Sequence, residues 1–367
     1  MRLVQTAAAL AVLAALAWTP LGDAVDRALD GLPWWLEEVA FAAVCVACVT
    51  LVTLPLSFWA GYVRERRFGL STQTLRGWVA DRLKGLAIGG FLTAVVVLAL
   101  AALVRAAPTL WPLLAAVGAV LLVVVLGFLA PVVLEPVFNR FRPLADAELA
   151  ARLRALAGQA GAPVRDVLVS DASRRTRKLN AYVSGLGRTR RLVLFDTLLE
   201  RARVPEVEAV VAHELGHRRE RHVEKLTALG ALGTAVGVVV LRLVLGDDAG
   251  EPRAVPEILF VFGVLELVGA AAFAPVARRY EREADRAALE LTRDPAAVEA
   301  VFRELAAANV ADLVPPRLLH ALFATHPTIP ERIAAARSFG RVLTSASPNA
   351  NRVDRSWQTH DGPSAPR

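Results

Sequence analysis

Long apolar segments dominate the first part of the chain and recur twice in its second half. A membrane-spanning helix needs about 20 mostly apolar residues, and six segments reach or approach that length. The six segments are residues 4–18, 39–63, 86–104, 110–133, 226–245 and 258–277. This pattern predicts a predominantly α-helical integral membrane protein with about six transmembrane helices.

The first apolar segment is short and follows Arg2, which leaves two interpretations open. A cleavable signal peptide has this basic start and apolar centre. Because no clear cleavage site follows, we favour a retained membrane anchor. The later segments keep the same orientation under either interpretation.

Between the fourth and fifth apolar segments, residues 139–225 show a shorter and mixed pattern. Apolar side chains at helical spacing predict a helix that begins near Ala147. Pro205, in the favoured first turn, opens a second helix. Short strands are predicted at 167–170, 181–184 and 192–195. This segment therefore predicts a small α+β unit, whose exposed edge strand could hold an extended peptide.

Composition agrees with a membrane protein, because 55% of the residues are hydrophobic, against about 45–50% in soluble domains. The loops after the first and fifth spans are acidic, whereas the loop after the second span and residues 139–225 are basic. Basic loops stay on the cytoplasmic side, so we expect both termini and the α+β unit there. Arginine supplies 39 of the 42 basic residues, which is typical of a GC-rich bacterial genome. The net charge of +7 lies in these loops without a base-reading motif, so the expected partner is the lipid bilayer and not nucleic acid.

Two ionisable side chains lie inside predicted spans. Arg242 is near a span end, where its head group can reach water. Glu266 lies in the middle of a span. An intramembrane carboxylate either faces a polar cavity or pairs with another residue, and both alternatives stay open for Glu266.

The predicted helix after Pro205 carries the motif H-E-x-x-H. His213 and His217 are four residues apart, so they share a helix face and can hold one metal ion. Glu214 lies beside the first histidine, where it can act as a general base on water. The motif predicts a zinc peptidase with two ligands and its base within five residues.

A catalytic zinc site needs a third protein ligand. Glu281 and Asp285 follow the sixth span and share one helix face, so one carboxylate could bind zinc while the other holds a ligand histidine. Glu283 would point away from that pair. By itself this segment could be a solvated helix end, but together with the histidine motif it favours zinc.

Other polar residues are less specific. His326 could steady an oxyanion and Arg332 could hold a substrate carbonyl or carboxylate, although a loop histidine before a helix also fits. The remaining histidines, which have no motif of their own, are expected to be packed or solvated; they are His222, His320 and His360. Residues 344–367 are expected to be disordered.

Several separate segments carry motifs that occur together in one family. They are residues 54–74, 135–141, 179–185, 191–199, the stretch from the H-E-x-x-H motif to His222, 281–285 and 326–332. In this order they resemble the type I CAAX prenyl protease family of integral-membrane zinc metallopeptidases. The resemblance covers about residues 40–335, and HtpX-like membrane quality-control proteases are more distant relatives.

The resemblance implies roles for individual residues. The expected metal ligands and catalytic groups are His213, His217 and Glu281 as ligands, Glu214 as base, and Asp285 behind a ligand. The expected substrate contacts are Asn180, Ala181, His326 and Arg332. It also implies one zinc ion per chain, six or seven membrane helices that enclose a chamber, and a substrate that is a peptide, prenylated or membrane-embedded.

These observations predict an N-terminal membrane domain at 1–138 and a zinc metallopeptidase domain at 139–335, which includes the last two spans. The predicted function is zinc-dependent endopeptidase activity in a multi-pass membrane protein, with the zinc site on the cytoplasmic side. The alternatives are an HtpX-like quality-control protease and a non-proteolytic metal-binding receptor. An intact Glu214 argues against the receptor, since binding alone does not need a base.

Overall fold

In a computed structural model the protein is mostly helical, and the structure describes residues 1–185 and 190–345. The helices of the first part are α1 Arg2–Trp18, α2 Pro20–Leu29, α3 Trp34–Phe58, α4 Arg64–Arg67, α5 Leu75–Ala106, α6 Trp111–Leu129 and α7 Glu135–Phe138. Those of the second part are α8 Ala147–Gln159, α9 Asp196–Arg201, α10 Val204–Arg219, α11 His222–Leu245, α12 Val255–Thr292, α13 Pro295–Ala308, α14 Arg317–Phe323 and α15 Ile329–Ser345. The predicted fold class, a helical membrane protein with a small α+β unit, is confirmed.

Within the described residues, four helical segments are long and apolar enough to cross a membrane. They are Trp34–Arg67, Leu75–Ala106, His222–Gly250 and Pro252–Thr292. Two bent pairs, Arg2–Trp18 with Pro20–Leu29 and Trp111–Gly127 with Val132–Phe138, raise the number to six if each is one span. The first pair bends by 68° at Thr19, whose extended backbone precedes Pro20. The six predicted segments therefore all lie in these helices.

Helix α12 is long enough to cross the membrane and continue beyond it. Its 38 residues extend over about 57 Å, at 1.5 Å per residue, whereas the hydrocarbon layer is about 30 Å thick. Its polar C-terminal part therefore projects out of the membrane and carries Glu281 and Asp285. Arg242 near the end of α11 pairs with Asp247 at 2.9 Å, as expected for a side chain that reaches water. Glu266 is exposed and has no ion pair among the described residues.

A four-stranded sheet stands beside these helices. Its strands are β1 Phe141–Pro143, β2 Asp166–Ser170, β3 Ala181–Ser184 and β4 Arg191–Phe195, in the order β1-β2-β4-β3. Strands β2 and β4 are parallel, and β3 is antiparallel to β4 at the edge. The three predicted strands are present, and the short β1 is an addition. The outer side of β3 is the edge at which another extended segment could pair.

Polar contacts join the membrane helices to the sheet. Glu135 accepts hydrogen bonds from Tyr182, Ser184 and Arg191, at 3.2, 2.8 and 3.1 Å. The core behind the sheet is mainly aliphatic, and its fully buried members include Leu153, Leu192, Leu194, Leu198 and Leu215. This core fixes α10 against the sheet. The tail expected at 344–367 lies outside the described residues, apart from its first two residues, which end α15.

Candidate active site

Helix α10 presents its two histidines because its opposite side is anchored. Val207, Val211 and Leu215, spaced four residues apart, are almost completely buried in the core. Glu206 accepts a hydrogen bond from the Arg203 backbone N–H at 2.8 Å, which fixes the start of the helix. The remaining face, with His213, Glu214 and His217, is left for chemistry.

The glycine of the H-E-L-G-H sequence lets α10 approach α12. A Cβ atom at Gly216 would lie 2.9 Å from the Cβ of Ala287 and 3.0 Å from the carbonyl oxygen of Ala284. Such distances are shorter than ordinary van der Waals contacts, so any larger residue would push the helices apart. Close packing at Gly216 therefore brings the α12 carboxylates to the α10 histidines.

Three side chains from these helices converge on one point and form a cluster: His213, His217 and Glu281. The two Nε2 atoms are 3.2 Å apart, and each lies 3.4 Å from a Glu281 carboxylate oxygen. Ligands about 2.0–2.1 Å from a tetrahedral zinc ion stand about 3.3–3.4 Å from one another. Among the residues that the structure describes, Glu281 Oε2 also has no hydrogen-bond partner although it is buried. The donor set and its spacing therefore fit a zinc ion.

The other nitrogen of each histidine already has a partner. His213 donates from Nδ1 to Asp285 at 2.9 Å. His217 Nδ1 lies 3.1 Å from Nδ1 of His222, whose Nε2 is 2.9 Å from Glu283. If His222 donates to Glu283, its Nδ1 accepts from His217. In their neutral forms both cluster histidines then carry the Nε2 lone pair on the side of Glu281, which is the tautomer needed for a ligand.

His222 is the residue of this set that the sequence predicted only to be packed or solvated. It is fully buried and stacks on Tyr280 with ring centroids 4.2 Å apart. Helix α10 ends at Arg219, and Arg221, in the left-handed region with φ 55°, precedes His222, which starts a new helix. His217 and His222 therefore lie on different helices, and helical periodicity could not reveal their contact.

Burial and charge adjust the titration of the α10 residues. Burial raises the pKa of Glu214 above its usual value, although the neighbouring histidines oppose this shift. Burial also acts to lower the pKa of His213, but the nearby carboxylates of Asp285 and Glu281 raise it to about 9. In the absence of a metal ion His213 is therefore charged at neutral pH, with a second proton on Nε2. A metal ion would displace that proton.

Arg332 lies directly beside the cluster. It binds both carboxylate oxygens of Asp285, with Nε 2.8 Å from Oδ2, and its guanidinium lies over the ring of Phe302. Its side chain is 9% exposed. Arg332 thus lies next to the candidate metal ligands, where it was predicted, and it holds Asp285 against His213.

His326 approaches the cluster from a different segment. Its Nε2 is 3.3 Å from Glu281 and its side chain is 59% exposed. Arg278 orders the preceding chain, because it donates hydrogen bonds to three backbone carbonyl groups at the end of α14, those of His320, Ala321 and Ala324. His326 is therefore an accessible group held next to the cluster.

A cavity of about 450 Å³ opens beside the cluster and reaches Asn180. Its polar lining includes His213, Glu214, His326 and Arg332, and its apolar lining is aliphatic and aromatic, from Val298, Val301, Phe302 and Leu305. Asn180 directly precedes the edge strand β3, which begins at Ala181. The structure thus brings all the predicted site residues into one region, with an apolar pocket and a strand edge beside them.

The sequence profile of peptidase family M48 matches residues 143–339. Residues 1–140 match the profile described as CAAX prenyl protease N-terminal, five membrane helices. The two matches meet near the end of α7.

Individual proteins show the same similarity. The uncharacterized metalloprotease YhfN of Bacillus subtilis is 32% identical over 314 residues, which cover 82% of this chain and 74% of that protein. The CAAX prenyl protease 1 homolog of Arabidopsis thaliana is 29% identical, covering 87% of this chain and 78% of that protein. The crystal structure of S. mikatae Ste24p superposes with a TM-score of 0.76 at 24% identity, covering 83% of this chain and 77% of that one.

Proposed function

Because the chain belongs to peptidase family M48, we propose that it is a membrane metallopeptidase that uses one zinc ion per chain. The observation that carries this proposal is the cluster of His213, His217 and Glu281, whose spacing suits tetrahedral zinc. Two histidines with one glutamate are a known ligand set of catalytic zinc. Asp285 and His222 would orient the two histidines from behind.

The chemistry at this site would combine the metal and Glu214. Zinc held by the cluster would act as a Lewis acid towards the scissile carbonyl group and lower the pKa of water. Glu214 takes the proton from the attacking water and passes it to the leaving amine. The pKa of Glu214, raised by burial, makes its carboxylate a better proton acceptor during this transfer.

The surroundings of the cluster support a role in peptide binding. An extended substrate would pair with β3, with Asn180 and Ala181 at its approach to the metal. The apolar wall of the 450 Å³ cavity would take an apolar side chain next to the scissile bond. His326 would donate to the oxyanion, and Arg332 would contact the substrate where it lines the cavity. The division into domains at residue 138 stays a prediction.

We further propose that the substrate is a prenylated C-terminal peptide, since relatives that match most of this chain are named CAAX prenyl protease 1 homologs. Matched farnesylated and unmodified peptides, incubated with the purified full chain, test this substrate by mass spectrometry of the products. We expect selective release of the three terminal residues from the farnesylated peptide. The Glu214→Gln variant should release these residues about a thousandfold more slowly.

Other product patterns would contradict that substrate. Scattered cuts in both peptides and in unfolded membrane proteins would indicate a general quality-control peptidase. A chain that binds zinc but cleaves neither peptide would instead indicate a metal-binding receptor.

We also propose that the zinc site faces the cytoplasm, as the distribution of basic loops indicates. The test uses Asp30→Cys and Arg341→Cys, two exposed positions, in a chain without Cys45 and Cys48. A membrane-impermeant thiol reagent should label Asp30→Cys in intact cells and Arg341→Cys only after lysis. The reverse result would place the α+β unit and its zinc site, together called the catalytic unit, outside the cytoplasm.

A further inference from the structure

A second cavity, of about 810 Å³, lies where three membrane helices meet the catalytic unit. The residues that line it come from the start of α1, the chain from the end of α3 through α4 to the start of α5, and the segment before β3. Its polar members include Arg2, Gln5, Ser57, Arg64, Glu65, Arg82, Arg175 and Lys178. None of these residues takes part in the proposed hydrolysis, so the cavity needs an explanation of its own.

The cavity carries an excess of positive charge. Five of the lining side chains are basic, and two carboxylates answer them. Glu65 pairs with Lys178 at 2.7 Å and with Arg64 at 3.5 Å. Asp81 is engaged by Arg175 at 2.8 Å and by Gln73 at 2.6 Å.

Two arginines are left over from this pairing. Across the described ranges, Arg2 and Arg82 form no ion pair with a carboxylate, and Arg82 lies over the ring of Trp78 at 5.5 Å. Both side chains are exposed within reach of the cavity. Arginine binds phosphate oxygens through several N–H donors in a fixed fork, so this pair is suited to an anion with several oxygens.

Aromatic side chains place the cavity at the membrane surface. Phe58 packs against Tyr62 and Trp78, with ring centroids 5.3 Å apart in both pairs. Tryptophan and tyrosine concentrate at the boundary between hydrocarbon and water. On the same helices Trp59 and Leu83 are exposed by 46% and 60%, so apolar surface continues beside the cavity.

We propose that this cavity binds the phosphate head group of an anionic phospholipid, with the acyl chains along the exposed apolar faces of α3 and α5. Basic pockets between membrane helices on the cytoplasmic side suit such head groups. The catalytic unit closes one wall with Arg175, Thr176 and Lys178. Beside this wall Thr72 Oγ1 donates to the Ser173 carbonyl at 2.6 Å. A bound lipid would therefore bridge the membrane helices and the catalytic unit.

The test compares lipid binding by the purified full chain in detergent, at about 150 mM salt, with thermal unfolding as the readout. Phosphatidylglycerol should raise the unfolding midpoint in a saturable way, while phosphatidylcholine and inorganic phosphate should not. Replacing both unpaired arginines, Arg2→Gln with Arg82→Gln, should weaken phosphatidylglycerol binding by about tenfold or more. Zinc content checks that the variant is folded, and Arg2→Gln alone gives a milder change.

The matched control is Arg67→Gln with Arg76→Gln, which removes the same charge from exposed positions outside the cavity. The control should bind phosphatidylglycerol as the wild type does. Equal loss in both double variants would mean nonspecific attraction and would overturn the site. Equal binding of phosphatidylcholine would overturn its selectivity for anions, and saturation by inorganic phosphate would replace the lipid with a free anion.

Discussion

Glu214→Gln is expected to lower the rate of peptide hydrolysis by about a thousandfold while the protein keeps its metal. Glutamine has nearly the same shape as glutamate but cannot accept the proton of the attacking water. General acid–base catalysis by one side chain contributes about 10²–10⁴-fold, and Glu214 would act on both proton transfers. Cleavage rates from mass spectrometry and zinc content from elemental analysis measure the two quantities separately.

The matched control is Glu220→Gln, at the residue that directly follows the C-terminal end of the same helix. Glu220 lies 3.7 Å from Arg219 and is 39% exposed, so its loss removes one charge without touching the cavity. The control should retain wild-type rates. If Glu214→Gln also cleaves at the wild-type rate, the proton passes through another group and the proposed base is wrong.

The membrane part of the fold was predictable because the bilayer imposes a minimum length on apolar helices. The two bends were not, since they depend on breaks such as Thr19-Pro20 and on packing of the following residues. Strand β1 has only three residues, too few for a recognisable alternation, and it exists because it pairs with β2. Local pattern therefore found the long elements and missed those that tertiary pairing creates.

The site shows the same division between local and distant contacts. For residues about one helix turn apart, such as His213 and His217, the spacing alone predicts a shared face. The ion pair of Arg332 with Asp285 joins residues 47 positions apart, and no periodicity relates them. The sequence placed Arg332 near the metal by resemblance, but only the structure shows that Asp285 holds it there. Because Asp285 takes two N–H groups of Arg332, only its other N–H groups are left to contact a substrate.

Glu281→Ala is expected to weaken zinc binding by more than about 100-fold and to abolish hydrolysis. The substitution removes one of three ligands and leaves two histidines, a set too small for a catalytic zinc site. Loss of an outer partner of a ligand already costs about 10–100-fold in metal affinity, so loss of a ligand itself should cost more. Competition with a zinc chelator gives the affinity, and size-exclusion chromatography checks the fold.

Glu283→Ala separates this role from a general effect of charge on α12. Glu283 lies two residues away on the same helix, but it faces Arg279 and His222, at 2.8 and 2.9 Å, and not the cluster. We expect this variant to keep one zinc ion per chain, with an affinity reduced by at most about tenfold through the looser His222. If Glu281→Ala keeps full affinity and Glu283→Ala loses it, the third ligand is Glu283. The contact between His217 and His222 would then have to rearrange when the metal binds. In this structure Glu283 contacts this pair only at Nε2 of His222, on the side of that ring away from His217.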